Sequence, residues 1–364
     1  MQALHEVEDP RKPSNGTLHD LREILVIAIC AVLSDNDLIE DIVAWAQAKH
    51  DWLSRFLTLK NGIPSEDTFL RVLRLIAPKQ FESVFRRWIS GVLPAVDGTL
   101  AIDGKTVRGS GSGGMQAIHM VSAFATASGL VLGQEKVSEK SNEITAIPQL
   151  LEDLYIKGLL VSVDAMGCQR EIAHKILSKE ADYLLAVKGN QPALQQAVES
   201  AVIDHGELLP VCETLQKGHG RMVVQRARVI KARGLIDEKL WPGCQTIGVI
   251  DSLRIVADKD PQWERRCYIS SRDLTADALA QAVRAHWGVE NRLHWMLDVN
   301  FSEDASTIRK DHAPQNLSLL KKMALNLTRP VAMGRKGKAS MRLKRKIAAW
   351  NDEDRARLLG LTDL

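Results

Sequence analysis

The feature that most limits the possible folds is a change of hydrophobic period near Pro94. Before it, apolar residues recur at helical spacing over 18–33, 38–49 and 65–76, interrupted by Gly62-Ile63-Pro64, and no strand pattern occurs. After it come three strand-like stretches, 99–103 (TLAID), 117–126 (AIHMVSAFAT) and 130–137 (LVLGQEKV). A helix capped by Ser141 or Asn142 then runs to Tyr155, followed by a buried strand at 159–163, a helix at 169–178 and a strand at 183–187. Consecutive strands joined by short turns pair antiparallel, whereas strands separated by a helix cross over and pair parallel. The order therefore predicts a mixed α/β sheet with helices on its faces. Residues 205–265 break this rhythm with Val- and Ile-rich stretches and read as a β-rich insertion, after which 275–299 and 314–327 read as helices. The expected organisation is a helical N-terminal domain over 1–95, an α/β domain over 96–330 carrying the insertion, and a basic C-terminal tail over 331–364.

Composition narrows the function classes. With 45% hydrophobic and 26% charged residues in 364, the chain reads as an ordinary globular protein of about two domains, not a disordered, collagenous or coiled-coil one. The longest apolar run, ILVIAICAVL at 24–33, falls well short of the roughly 20 residues of a bilayer span. The polar start lacks a secretory pattern, so a cytoplasmic protein with no membrane partner is expected. Cys30, Cys168, Cys212, Cys244 and Cys267 form no CxxC pair, which argues against a disulfide framework or a structural zinc. Net charge is only +3, but 335–346 (RKGKASMRLKRK) and 221–233 (RMVVQRARVIKAR) are basic without an acid, as phosphate-backbone contact requires. A solvated basic surface explains the first patch equally well. The N-terminal helices read either as a DNA-reading unit, with Arg71, Arg74, Lys79, Arg86 and Arg87 on phosphates, or as a structural cap.

Two constellations could carry chemistry. Asp103 and Asp164 each end a strand, so a mixed sheet would place both at carboxyl edges, where such folds build their sites. Adjacent carboxylates repel and are best stabilised by a divalent cation, although strand-terminal aspartates also serve simply to cap turns. On the 275–299 helix, His286, Glu290, His294 and Asp298 recur every four residues along one slowly drifting stripe. The alternative there is a set of buried histidines bonded to carboxylates. The run is not the HExxH zinc pattern, and Gly98 to Thr106 is not a phosphate-binding loop, because five residues separate its glycines and those residues read as the strand itself.

Four segments in order, LAIDGKTVRGS (100–110), VSVDAMGCQ (161–169), ADYLLAVKGNQ (181–191) and HWGVENRLHWMLDVNFSED (286–304), resemble the H-repeat-associated group of bacterial insertion-sequence transposases. The resemblance covers nearly the whole chain. It implies a ribonuclease-H-like fold with a DDE motif falling on Asp103, Asp164 and Glu290, as catalytic residues and as ligands of two Mg²⁺ ions for which Mn²⁺ can substitute. The implied activity is DNA transposition and recombination: endonuclease cleavage of the insertion-sequence ends, then strand transfer into target DNA, with double-stranded DNA as substrate and a homodimer on it. The same resemblance implies nucleoid association. Asp298 is held in reserve for Glu290. Lys105, Arg108, Lys188, Asn190, Gln191, Arg284, Arg292 and His294 are candidate nucleic-acid-binding residues, and Trp263, Trp287 and Trp295 candidate platforms for a flipped base, though tryptophan at helical spacing is more often core. Glu290 has His286 four before it and Leu297 seven after it, where many relatives carry arginine and lysine, so no hairpin-forming cut is implied. A DNA-binding relic without catalysis and a metal-dependent nuclease without strand transfer are the alternatives.

Overall fold

The structure is a computed structural model that describes every residue except 1, 14–16, 93–97, 139–140, 206–210, 219–220, 257–258 and 362–364. The boundary expected at 95/96, the junction near 205 and the last residues of the basic segment thus border on or lie outside the described residues.

The ten-residue apolar run belongs to α1 (Leu21–Leu33), which Asp20 caps by accepting from the N–H groups of Arg22 and Glu23. Every α1 residue except Arg22 and Glu23 is buried, the expected state of a helix apolar on all sides. Around it lie α2 (Ile39–Ala48), α3 (His50–Leu53), α4 (Glu66–Leu75) and α5 (Pro78–Val92). Ser65 caps α4 by accepting from Thr68 N–H, and the stripe of Phe69, Val72 and Leu73 faces inward.

Next come β1 (Thr99–Thr106), β2 (His119–Ala125), β3 (Leu130–Lys136), α6 (Glu143–Glu152), β4 (Leu160–Val163), α7 (Arg170–Ser178), β5 (Asp182–Val187) and α8 (Pro192–His205). They are followed by β6 (Cys212–Gly218), β7 (Arg221–Lys231), β8 (Thr246–Val256) and β9 (Gln262–Ser270). Among the described residues these strands form one sheet in the order β3-β2-β1-β4-β5-β9-β8-β7-β6. β1, β2 and β3 are antiparallel, while β1–β4 and β4–β5 are parallel, which is the ribonuclease-H-like mixed arrangement expected. The β-rich segment is not a separate layer: β9 pairs antiparallel with β5, and β8, β7 and β6 continue as a meander.

The long helix is α9 (Ala276–Val289), one π turn (Glu290–His294) and α10 (Trp295–Asn300). It precedes α11 (Ala313–Thr328), α12 (Met341–Trp350) and α13 (Asp352–Leu358). On one face of the inner sheet, Ile102, Val121, Leu150 and Ile172 form a core with α6 and α7. On the other face, Ala101, Phe124 and Val131 pack with Leu293, Leu297, Leu320 and the N-terminal helices. The basic segment folds onto that second layer: Arg345 is fully buried, donating to Val32 O at 2.6 Å and pairing with Asp37 at 2.6 Å. Arg355, also buried, lies 4.0 Å from the Trp52 ring centre. Of the seven basic residues in 335–346, Lys344 and Arg345 therefore serve the core. No described helix is long and apolar enough to cross a membrane.

Candidate active site

Parallel pairing puts Ile102 opposite Val163, so Asp103 and Asp164, each one residue on, emerge side by side from adjacent strands. Burial raises the Asp103 pKa to about 7, assisted by the charges of Asp164, Glu143 and Glu290. Asp164 is raised too, by burial first and by Glu143, against the N–H bond it accepts from Gly167 at 3.2 Å. Glu290 comes from the opposite direction, at the π turn, with its side chain 74% exposed. Wide turns of this kind inside helices are frequent at functional sites. The three carboxylates share a cleft of about 490 Å³ whose walls also include Lys188, Arg266 and Trp287.

His294 sits beneath them, buried, with Nδ1 3.4 Å from Glu290 Oε2 and 3.7 Å from Asp103 Oδ2. Burial lowers its pKa, and the charges of Lys322 and Lys105 add to this against the opposing Glu290. Ligand atoms of Asp103, Glu290 and His294 all lie within 4.8 Å of one another, a donor set that fits a divalent cation. Asp298 is not part of it. Two turns of helix beyond Glu290, it pairs with Lys105 at 2.7 Å, and Glu303 and Asp304 share that ammonium at 3.2 and 2.8 Å. Burial alone would lower the Lys105 pKa, but the three carboxylates outweigh it and hold the lysine charged. Lys105 thus ties β1 to the helix end, leaving little charge for a phosphate.

The other sequence candidates divide into two groups. Lys188 lines the cleft, and Arg284 lies in the groove described below, its Nη2 donating to Thr214 Oγ1 at 3.0 Å. Asn190 donates to Ala165 O at 2.7 Å and Gln191 to Cys168 O at 3.0 Å, bracing the loop after Asp164. Arg292 turns away, donating to Thr126 O at 2.6 Å, and Arg108 is exposed, its backbone N–H bonded to Asp304 at 3.1 Å. Trp263 and Trp295 are exposed outside the cleft's lining, and His286 is half-buried, bonded to Ser162 Oγ at 2.9 Å. In the N-terminal helices Arg74, Arg86 and Arg87 are ion-paired with Asp311, Asp153 and Glu6.

Sequence reading missed Arg266, Glu143 and His119. Arg266 lies 3.7 Å from the Trp287 ring centre, at the junction of the cleft with a second groove of about 510 Å³ bearing Arg221, Arg254 and Arg284. Glu143 receives His119 Nε2 at 2.6 Å in space that opens only because residue 104 is glycine: a Cβ there would collide with both side chains. A glutamate in the first turn of a helix is ordinary dipole chemistry, so nothing in the local sequence marks Glu143.

The Transposase DDE domain model matches residues 94–327, and the DDE_Tnp_1-associated model matches residues 1–89. The chain belongs to the DDE transposase family. It is 42% identical over 350 residues to "Putative transposase YncI" of Escherichia coli O157:H7, covering 92% of this chain and 87% of that one. It is 40% identical over 351 residues to "H repeat-associated putative transposase YhhI" of Escherichia coli K12, covering 92% and 90%. A solved piggyBac transposase chain, from a synaptic complex with hairpin DNA, aligns with a TM-score of 0.43 at 11% identity over 100% of this chain and 80% of that one. In this chain Asp103 lies on β1, Asp164 follows β4 and Glu290 rides the helix after the meander.

Proposed function

We propose that this DDE transposase cuts DNA at the ends of its own element and joins the freed 3′-hydroxyl to target DNA, with Asp103, Asp164 and Glu290 as its catalytic carboxylates. The observation that carries this reading is the convergence of those carboxylates on one cleft that runs into an arginine-bearing groove. Three carboxylates repel a phosphodiester, so the residues fit only a reaction in which divalent cations sit between them and the DNA. When bound, two such ions supply charge neutralisation and Lewis-acid activation of attacking and leaving oxygens in an in-line displacement. Mg²⁺ or Mn²⁺ suits the oxygen-rich donors.

The chain's own residues do the rest. Asp103 would hold the cations together with Asp164 and Glu290. Lys188 and Arg266 flank the cleft and hold phosphates beside the scissile bond, while Arg221, Arg254 and Arg284 follow the strand along the groove. Trp287, one helical turn before Glu290 and partly exposed, offers a stacking face for a nucleotide at the cleft rim. Joining two element ends to one target calls for two copies of the chain, so the active species is a homodimer on double-stranded DNA in the cell's interior.

The test is cleavage and joining of a labelled duplex carrying the element's end, in Mg²⁺ and in Mn²⁺, with wild type, Asp103→Asn, Asp164→Asn and Glu290→Gln. Nicking and joining lost in each variant, with DNA binding retained, are expected. Cutting without joining would replace the reading with a nuclease, and binding without chemistry would replace it with a DNA-binding relic.

A further inference from the structure

We infer that His294 is a direct nitrogen ligand of one of the two cations, so that this position of the site is an Asp103–Glu290–His294 mixed nitrogen and oxygen set selecting Mn²⁺ over Mg²⁺. The inference rests on the proposed function and concerns the same site.

Two observations carry it. First, the ring is 95% buried, being 5% exposed, yet its Nδ1 edge faces two carboxylates and not an apolar wall. Second, the spacing suits an ion better than a hydrogen bond. At 3.4 and 3.7 Å the two approaches exceed the roughly 2.7–3.2 Å of a good N–H···O bond. Neighbouring ligands of an octahedral ion with bonds of about 2.1 Å stand about 3 Å apart, so movements of a few tenths of an ångström close the set around a cation.

The neighbourhood supports the same assignment. Lys322 is buried beyond the ring, donating to Gln134 Oε1 at 2.6 Å and Ser318 Oγ at 3.1 Å, so the ring's surroundings away from the carboxylates are filled by a bonded side-chain network. Imidazole nitrogen is a borderline ligand that transition metals accept readily, whereas Mg²⁺ prefers oxygen throughout its shell. Asp103 and Asp164, with Glu143 close by, leave the other cation position all-oxygen. The two positions therefore differ in metal preference.

The experiment measures cation binding to the full chain without DNA. Pulsed electron paramagnetic resonance of the Mn²⁺-loaded wild type reads ¹⁴N coupling from a coordinated imidazole directly, and calorimetry compares Mn²⁺ with Mg²⁺ for wild type, His294→Ala, His294→Asp and Asp103→Asn. The expected result is an imidazole nitrogen signal in the wild type and its loss in His294→Ala. In that variant Mn²⁺ binding weakens at least about tenfold while Mg²⁺ binding changes less than about threefold. His294→Asp restores binding with the preference moved toward Mg²⁺. Because the nitrogen signal is read on the wild type, the inference is tested even where a variant folds poorly. Mn²⁺ binding that Asp103→Asn abolishes, without a nitrogen signal, would overturn the role of His294 and leave the carboxylate site standing. A wild type that binds neither ion, even with element-end DNA added, would overturn the metal-dependent reading itself.

Discussion

The inner and outer halves of the single sheet are built from the same kind of residue and do opposite things. From β3 to β5 the strands are covered on both faces, and Leu100, Ala101, Phe124, Val131 and Val161 are fully buried. From β7 to β6 coverage thins: β6 alternates between exposed and half-buried, and Leu215 is 54% exposed. Strand propensity alone does not separate the two halves, because it reports only that a side chain fits a pleated surface. The difference teaches where this protein needs rigidity. Under the proposed function, Asp103 and Asp164, which would hold cations, stand on the doubly covered half, and Arg221 and Arg254, which would follow the DNA, stand on the open half.

Four measurements would break or sharpen that comparison. The largest effect belongs to the inner half's edge: Asp103→Asn or Glu290→Gln should remove several kcal/mol of transition-state stabilisation, on the order of a thousandfold in cleavage rate. The melting midpoint should hold or rise, since a repelling carboxylate is gone. A midpoint that collapses would show the carboxylates to be structural. Second, Phe124→Ala should cost about 3–5 kcal/mol in denaturant unfolding, whereas Leu215→Ala on β6 should stay within about 0.5 kcal/mol. Equal costs would erase the contrast between the halves.

Third comes a buried acid behind the inner strands. Glu82 on α5, bonded to Gln315 Nε2 at 3.1 Å, has its pKa raised from 4.5 to about 7 by burial, reinforced by Glu135. The folded state then keeps a proton that the unfolded chain has released, so the contribution is full below about pH 4.5 and is lost as pH rises toward 7. The metal-free wild type should lose about 1–3 kcal/mol across that window through this group, and Glu82→Gln should flatten that part of the slope. Parallel pH profiles would show that Glu82 is ionised in the fold. The smallest effect is on the open half. Arg266→Ala and Trp287→Ala should each weaken single-stranded DNA binding by about 1–2 kcal/mol at fixed salt, with unfolding nearly unchanged. Affinity unmoved by either change would take the groove out of the DNA path.

Much of the fold was legible because it follows from local pattern. The cap at Ser65, the cap at Asn142 and the inner strands were read within a few residues of their observed ends. Helices α5, α8, α12 and α13 and strands β6 and β9 were not assigned. The basic run at 335–346 reads as a phosphate-contacting or a solvated surface, and only the depth of Arg345 against α1 reveals its packing role. In the candidate site, strand ends marked Asp103 and Asp164 only as candidates and the stripe offered Glu290 as one of four; the family resemblance is what singled out the three. Glu143 was not legible, because its neighbours in space, Gly104 and His119, come from two strands remote from it in sequence.

What the sequence determined by itself is what period and spacing encode: a helical N-terminal part, three strands followed by alternating helix and strand, two strand-end aspartates, and a helix with ionisable groups every fourth residue. The tertiary structure decided which member of that stripe faces the aspartates. His286 turns to Ser162, Asp298 to Lys105, and Glu290 with His294 meets Asp103. The reason is geometric. A stripe of side chains four apart drifts around its helix, and which of them reaches the sheet edge depends on how that helix lies across strands distant in sequence, a quantity no local pattern contains.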